Sequence, residues 1–409
     1  MSKTVALLIT LDTKDQEAGY LIDQIESRGH NALLLDIGVV GTPGIPGHCT
    51  REEVAKAGGT PLSELLNNPT REEAGPVMVK GAINILNKKI AANEVHAVLG
   101  LGGTQGTSSC CDIMQALPYG FPKIMVSTIA SGDTSEFVGI KDITMMFSVS
   151  DILKLNPFTR KILANAAAAA CGMAEVETKF VMEKGDKPLI GISNLGVLTN
   201  GAMKAIEYFE EKGYEVIVFH AVGSGGRAME QMMKEGIIGA VFDYAMGEIA
   251  DDVWSVLRAG GPERLSVAGK LGLPQVLCPG GAEHLGILVH PNEVPEEYKD
   301  HDYVFHSPVV FVPRLNANEI VRVAKSICDR LSTTQGNAYF MIPRGGVGRY
   351  SKVGASLYDK ESDDAFFDYL IQHLPKTIKI VDCNEYVEDP AFVKKAVDLL
   401  ISLIEENNK

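Results

Sequence analysis

Short apolar runs, each ending in a glycine- or hydroxyl-rich turn and followed by a helical pattern, recur along this chain and restrict its fold more than any other feature. Val5–Leu11 is a run of this kind: it is apolar on successive residues, not alternating ones, so both of its faces are expected to be covered. The polar turn Asp12-Thr13-Lys14-Asp15 then supplies helix-capping groups, and Ala18, Leu21, Ile22 and Ile25 form one stripe before Gly29. Runs at 32–37, 96–101, 123–127 and 144–149 repeat the pattern, with helical stretches at 72–92 and 160–174. This grammar predicts an α/β fold with a mostly parallel sheet flanked by helices.

The charged stretch 183–188 interrupts the run, and the grammar restarts at Leu189. With 409 residues the chain is longer than one core normally serves. Two domains are therefore expected, 1–184 and 185–409, each an α/β unit of the same kind. The restart resembles the opening of the first half, which fits either a duplication or the common cadence of such domains. Later strands are expected at 215–220, 240–244, 275–278, 309–312, 338–342 and 378–381, a closing helix at 392–406, and an exposed excursion at 291–302.

The formal charge of -14, from 38 Lys and Arg against 52 Asp and Glu, argues against a nucleic-acid or anionic-membrane surface. Seven scattered cysteines without C-x-x-C spacing read as reduced thiols of a cytoplasmic protein, and no segment reads as a membrane span or signal sequence.

The most informative segment is the strand ending Gly100-Leu101-Gly102-Gly103-Thr104-Gln105-Gly106-Thr107, with a helix beginning close behind it. Glycines permit close approach, and the free N–H groups of a first helical turn attract a phosphate or carboxylate. It is neither a Walker A loop nor a G-x-G-x-x-G turn in the dinucleotide register, and a tight packing turn is the alternative. A counterpart follows the strand at 216–219: Gly223-Ser224-Gly225-Gly226-Arg227, with Arg227 as an additional anion donor and Glu230 at the same helix end. One such turn per domain points to a ligand held between the domains. Other polar clusters after strands contain Ser131 and Asp133, and Gly280 and Gly281.

No nucleophile elbow, HExxH zinc motif, EF-hand or kinase signature is present. His220, Asp243 and His284, each expected at or just beyond a strand end, form the catalytic constellation for an alternative function: metal-dependent or acid/base chemistry on a small phosphorylated or carboxylated metabolite. A third alternative is a non-catalytic interaction module with a structural nucleotide. Cys278 is expected to be an inert packed thiol.

Four segments together resemble the Tm-1-like ATP-binding family, an uncharacterised protein family: Ile9-Thr10-Leu11-Asp12-Thr13-Lys14, the turn at 100–107, Ser127-Thr128-Ile129-Ala130-Ser131-Gly132-Asp133, and the segment 218–230. The resemblance spans essentially the whole chain. It implies two Rossmann-like domains, homodimerisation, and ATP binding, with Mg²⁺ as a companion ion. Asp12, Thr13, Gly102, Gly103, Thr104, Gly106, Thr107, Ser131, Asp133, Gly223, Gly225, Gly226, Arg227, Glu230, Gly280 and Gly281 are the candidate cofactor residues. The family's plant member blocks viral RNA replication, and no residue here carries that target over. The chain departs from the family at Pro343-Arg344-Gly345-Gly346, where proline-leucine-x-glycine is usual, and at Tyr386, which stands where the family has a histidine.

Overall fold

The computed structural model describes residues 1–67, 71–177 and 187–407, with side chains 71–73 left aside. The chain divides into two compact units, Met1–Val181 and Met182–Lys409. The expected boundary at 184 and 185 lies outside the described residues.

The first unit runs β1 (Thr4–Ile9), α1 (Asp15–Glu26), β2 (Asn31–Asp36), α2 (Arg51–Gly58), α3 (Leu62–Leu65), α4 (Arg71–Ala91), β3 (Ala97–Gly102), α5 (Thr104–Gln115), β4 (Lys123–Ser127), α6 (Ser135–Val138), β5 (Thr144–Phe147) and α7 (Pro157–Ala174). All strand pairs are parallel in the order β2-β1-β3-β4-β5, with Leu7 level with Leu34 on one side and Leu99 on the other. Successive side chains of β1 leave on opposite faces. Val5, Leu7 and Ile9 pack with α1 and α7, while Ala6 and Leu8 pack with α2, α4 and α5. This double covering explains why β1 is apolar at every position. The alanine run of α7 serves the sheet: Ala166, Ala167 and Ala170 are fully buried against it, beneath an N-terminus capped by Asn156.

The second unit runs β6 (Ile190–Asn194), α8 (Thr199–Glu211), β7 (Val216–His220), α9 (Ser224–Lys234), β8 (Ala240–Ala245), α10 (Gly247–Trp254), α11 (Val267–Leu271), β9 (Gln275–Gly280), β10 (Ile287–Leu288), β11 (Tyr303–Ser307), β12 (Val310–Pro313), α12 (Ala317–Leu331), β13 (Ala338–Pro343), α13 (Lys360–His373), β14 (Ile378–Cys383) and α14 (Pro390–Asn407). Its six-stranded parallel sheet is ordered β7-β6-β8-β9-β13-β14. Taken in chain order, both sheets begin 2-1-3-4-5, and the second adds a sixth strand. Two mostly parallel sheets, each flanked by helices, are the expected Rossmann-like architecture. In sheets of this order the chain turns from one side to the other between the first and third strands, and the crevice for a ligand opens there at the carboxyl ends.

The strand expected at 309–312 is present as β12 but belongs to a separate antiparallel sheet, β10-β12-β11. The excursion at 291–302 links two strands of that sheet. It is anchored by Tyr298, whose ring lies 6.1 Å from that of Phe311. Tyr303–Ser307 has only three consecutive apolar residues before His306 and Ser307, too short a run for periodicity alone to separate it from a loop.

Candidate functional site

In the first unit, β3 ends at Gly102 and α5 begins two residues later. Its N-cap, Gly103, is extended (φ -77°, ψ -161°) and supplies no side-chain cap, and no acidic residue occupies the first turn. The first helical bond is Thr107 N–H to the Gly103 carbonyl at 2.8 Å, which leaves the preceding N–H groups without helical acceptors. A Cβ on Gly102 would come within 2.6 Å of Gly106 Cα, so that glycine is demanded by strand–helix packing. A Cβ on Gly103 would meet only Thr128 Oγ1 at 3.8 Å, and one on Gly106 only the Leu101 carbonyl at 3.5 Å. Packing within the protein therefore does not account for these two glycines.

The uncapped turn opens on a cavity of about 320 Å³ over the ends of β1, β2 and β3. Thr10, Asp12, Thr13 and Lys14 line it from the β1–α1 turn, and Gly102, Gly103, Thr104, Gln105 and Gly106 from the β3–α5 turn. Sequence reasoning missed Asp36, at the end of β2. Its Oδ1 accepts from Leu11 N–H at 3.2 Å and Gly38 N–H at 2.9 Å, which ties the β1–α1 turn to the segment after β2. Burial pushes the Asp36 carboxyl up, against the pull of these bonds. An acid closing a buried strand was the available signal. Lys14 donates to the Ile152 carbonyl at 2.5 Å.

Other candidates from this unit lie outside the cavity lining. Thr107 is buried, its hydroxyl 2.7 Å from that of Ser127, which in turn accepts from Ile129 N–H at 3.1 Å. Thr107 thus braces the β4 turn. Ser131 and Asp133 are exposed, and Asp133 accepts from Ser135 N–H at 2.9 Å, which lowers its pKa.

The glycine-rich turn of the second unit already holds an anion. Glu248 Oε1 accepts from Gly223 N–H at 2.6 Å and Gly226 N–H at 3.1 Å. The turn fits tightly around it: a Cβ on Gly226 would fall 2.0 Å from Glu248 Oε2, and one on Gly225 would fall 1.9 Å from the His220 carbonyl. Gly223 has φ +90°, which favours glycine on backbone grounds alone. Arg227 lies on the exposed side, its Nε 3.4 Å from the Gly223 carbonyl. The N-terminus of α8 is taken in the same manner, since Glu388 Oε1 accepts from Asn200 N–H at 2.8 Å and Gly201 N–H at 3.2 Å. Tyr386 donates its hydroxyl to Glu388 Oε2 at 2.7 Å and so helps to hold that cap in place.

Behind the Glu248 turn lies a buried ion cluster. Arg264, fully buried, pairs with both oxygens of Asp243 (2.5 and 2.6 Å), with Glu248 Oε2 (2.6 Å) and with Glu230 Oε1 (3.3 Å). Burial alone would lower the arginine's pKa, but the carboxylates outweigh it and raise it. Glu230 accepts from Leu265 N–H at 2.5 Å and Val267 N–H at 3.1 Å. Burial, aided by Asp243, pushes it up to about 7. Asp243 and Glu230 are therefore held in the interior of this cluster, not in a cavity. Gly280 abuts the Tyr244 carbonyl, and Gly281 donates its N–H to Val347 at 2.8 Å.

His220 and His284 do line one cavity, of about 390 Å³, over the ends of β6, β7 and β9. His306 and Tyr350 join them from β11 and from the loop after β13, and Arg258 joins from the loop after α10. None of these three was singled out by sequence. His284 Nδ1 lies 3.2 Å from Glu283 Oε1 and its Nε2 lies 3.3 Å from Arg258. Burial would raise Glu283, but His284 and Arg314 overcome it and hold the carboxyl down at about 2. Among the described residues, no group of three or more His, Cys, Asp or Glu is placed to hold a metal ion.

All seven cysteines are buried and free. Burial raises the thiol pKa of Cys278 far above its ordinary value, and that of Cys111 to about 12. A thiol reagent at neutral pH is expected to modify the native chain slowly and all seven thiols only after denaturation. Stoichiometric labelling of any one of them within the mixing time of the native protein would contradict that expectation.

Among the described residues, no helix is long and apolar enough to cross a membrane. In comparisons with known proteins, the chain is 38% identical over 408 residues to a UPF0261 protein of Clostridium tetani, covering 99% of this chain and 100% of that one. It is 32% identical to a UPF0261 protein of Rhizobium meliloti, covering 97% and 98%. A tomato (Solanum lycopersicum) ToMV susceptible protein is 30% identical over 71% of this chain and 39% of its own length. A solved putative UDP-N-acetylglucosamine 2-epimerase from Listeria monocytogenes aligns over 68% of this chain and 79% of its own at 13% identity, but its TM-score of 0.22 supports no argument. Models of the Uncharacterised protein family (UPF0261) match on both sides of the division, the N-terminal domain over residues 3–179 and the C-terminal domain over 187–404. The chain belongs to the UPF0261 family, and its two compact units are that family's N-terminal and C-terminal domains.

Proposed function

We propose that the N-terminal domain binds an ATP-type nucleotide, with its phosphates against the first turn of α5. The observation that carries this reading is the uncapped α5 N-terminus opening on the cavity at the β1/β3 crevice. The corresponding turns before α8 and α9 are filled by the protein's own carboxylates. Free N–H groups and the positive end of the helix favour a phosphate without a lysine. Gly103 leaves the approach open, and Asp12 is the carboxylate on the cavity that would face a phosphate-bound Mg²⁺. The same reading takes the working species to be a cytoplasmic homodimer.

Calorimetric titration with ATP, with and without Mg²⁺, tests the proposal directly. Saturable binding that adenosine does not reproduce is the expected result, because the helix terminus recognises phosphate. Absence of heat up to about 10 mM ATP would refute it, since that concentration corresponds to under about 3 kcal/mol of binding free energy. Arg227→Ala is expected to leave ATP affinity unchanged, because the turn beside it holds Glu248.

A further inference from the structure

The histidine-lined cavity of the C-terminal domain has a composition unlike that of the phosphate cradle. Among the described residues that line it, none carries a carboxylate. Its polar groups are His220, His284, His306, Tyr350 and Arg258, and Val197, Val222, Leu257, Val310 and Val312 form much of the wall. Arg258 is the one arginine of that lining, which has no lysine, and it is already paired: Nε and one terminal nitrogen each lie 2.8 Å from the two oxygens of buried Asp251. Its remaining nitrogen points at His284 Nε2, while His284 Nδ1 faces Glu283. Glu283 is fully buried, and neither of its oxygens has an aligned hydrogen-bond donor. His284 thus stands between Glu283 and Arg258 and acts as a positioning residue for Arg258. The Tyr350 hydroxyl lies 3.1 Å from His306 Nδ1, a hydrogen bond that orients both side chains on the same cavity and leaves one of the two with a donor for a ligand.

We propose that this cavity is a second ligand site, which takes a small organic carboxylate with an apolar body. Donors without a lining carboxylate select an anion, and the apolar wall selects a hydrocarbon body. One partly neutralised arginine and no lysine suit a single negative charge, not a dianionic phosphate. His220, His306 and Tyr350 contact the carboxylate. The site is independent of nucleotide binding in the other domain.

The test is titration of the full chain with hexanoate, benzoate, hexan-1-ol and inorganic phosphate as probes. Hexanoate or benzoate is expected to saturate, with His306→Gln and Tyr350→Phe each weakening it about 10- to 150-fold, the scale of one lost hydrogen bond to a charged group. Gly103→Val in the other domain is expected to leave this binding intact. Carbethoxylation of His220 and His306 by diethyl pyrocarbonate, followed by mass spectrometry on the wild-type chain, keeps the test decisive if a variant misfolds. Both histidines are expected to be protected by hexanoate. The proposal is overturned if hexan-1-ol binds as tightly as hexanoate, if phosphate competes equally, if no probe saturates by about 10 mM, or if labelling is unchanged at saturation.

Discussion

Arg264→Leu is expected to destabilise the C-terminal domain by about 3–5 kcal/mol, the cost of removing one partner from a buried ion pair. The physical reason is what remains behind. Asp243, Glu248 and Glu230 are all nearly or fully buried, and each loses its cationic partner at once. Glu248 also organises the turn through Gly223 and Gly226, so its displacement loosens the start of α9. Thermal unfolding followed by circular dichroism should show a midpoint lower by roughly 6–20 °C. Lys360→Ala, which removes an exposed pair with Asp364, should leave the midpoint nearly unchanged. A loss from Arg264→Leu no larger than from Lys360→Ala would show that the cluster contributes no net stability. The pH dependence has a defined sign. Glu230 is raised from 4.5 to about 7 on folding, so its contribution is fully present below pH 4.5 and is lost as pH rises through 7. Glu230→Gln should flatten that part of the stability profile.

Gly103→Val is expected to weaken ATP binding by about 100-fold, or about 2.7 kcal/mol, while leaving the domain folded. Gly103 is extended, a conformation that a β-branched residue adopts readily, and its Cβ would meet only Thr128 Oγ1 at 3.8 Å. The side chain would instead stand among the first-turn N–H groups and keep phosphate from several charge-assisted bonds at once. Loss of a glycine N-cap costs the fold at most about 1 kcal/mol. Gly102→Ala is unsuitable as a probe, because its Cβ would collide with Gly106 and shift α5 itself. ATP affinities of wild type and Gly103→Val, measured beside their melting temperatures, separate the two effects. Unchanged affinity in a folded variant would remove the α5 terminus from the phosphate site.

Much of the architecture was legible because strand burial and helix amphipathicity are local properties of the chain. The run Val5–Leu11 announced a strand covered on both faces, and the restart at Leu189 announced a second unit. Placing His220, Asp243 and His284 beyond strand ends brought two of the three together: His220 and His284 line one cavity, whereas Asp243 pairs with buried Arg264 instead. Less legible was which of two similar glycine turns is free. Gly102–Thr107 and Gly223–Arg227 read alike, yet one opens on a cavity and the other encloses Glu248.

Residue chemistry over a few neighbouring positions set the strands and helices of the two parallel sheets, the glycines at their turns and the acidic, cysteine-scattered character of the chain, and these could be read directly. Which carboxylate sits at which helix end depends on contacts between distant parts of the chain. Glu248 reaches back to a turn more than twenty residues earlier, and Glu388 reaches α8 from near the end of the chain. His306 and Tyr350 join His220 only because a three-stranded sheet and the loop after β13 fold over the same strand ends. Such pairings depend on strand order and on loops of irregular length, and no periodicity along the chain encodes them.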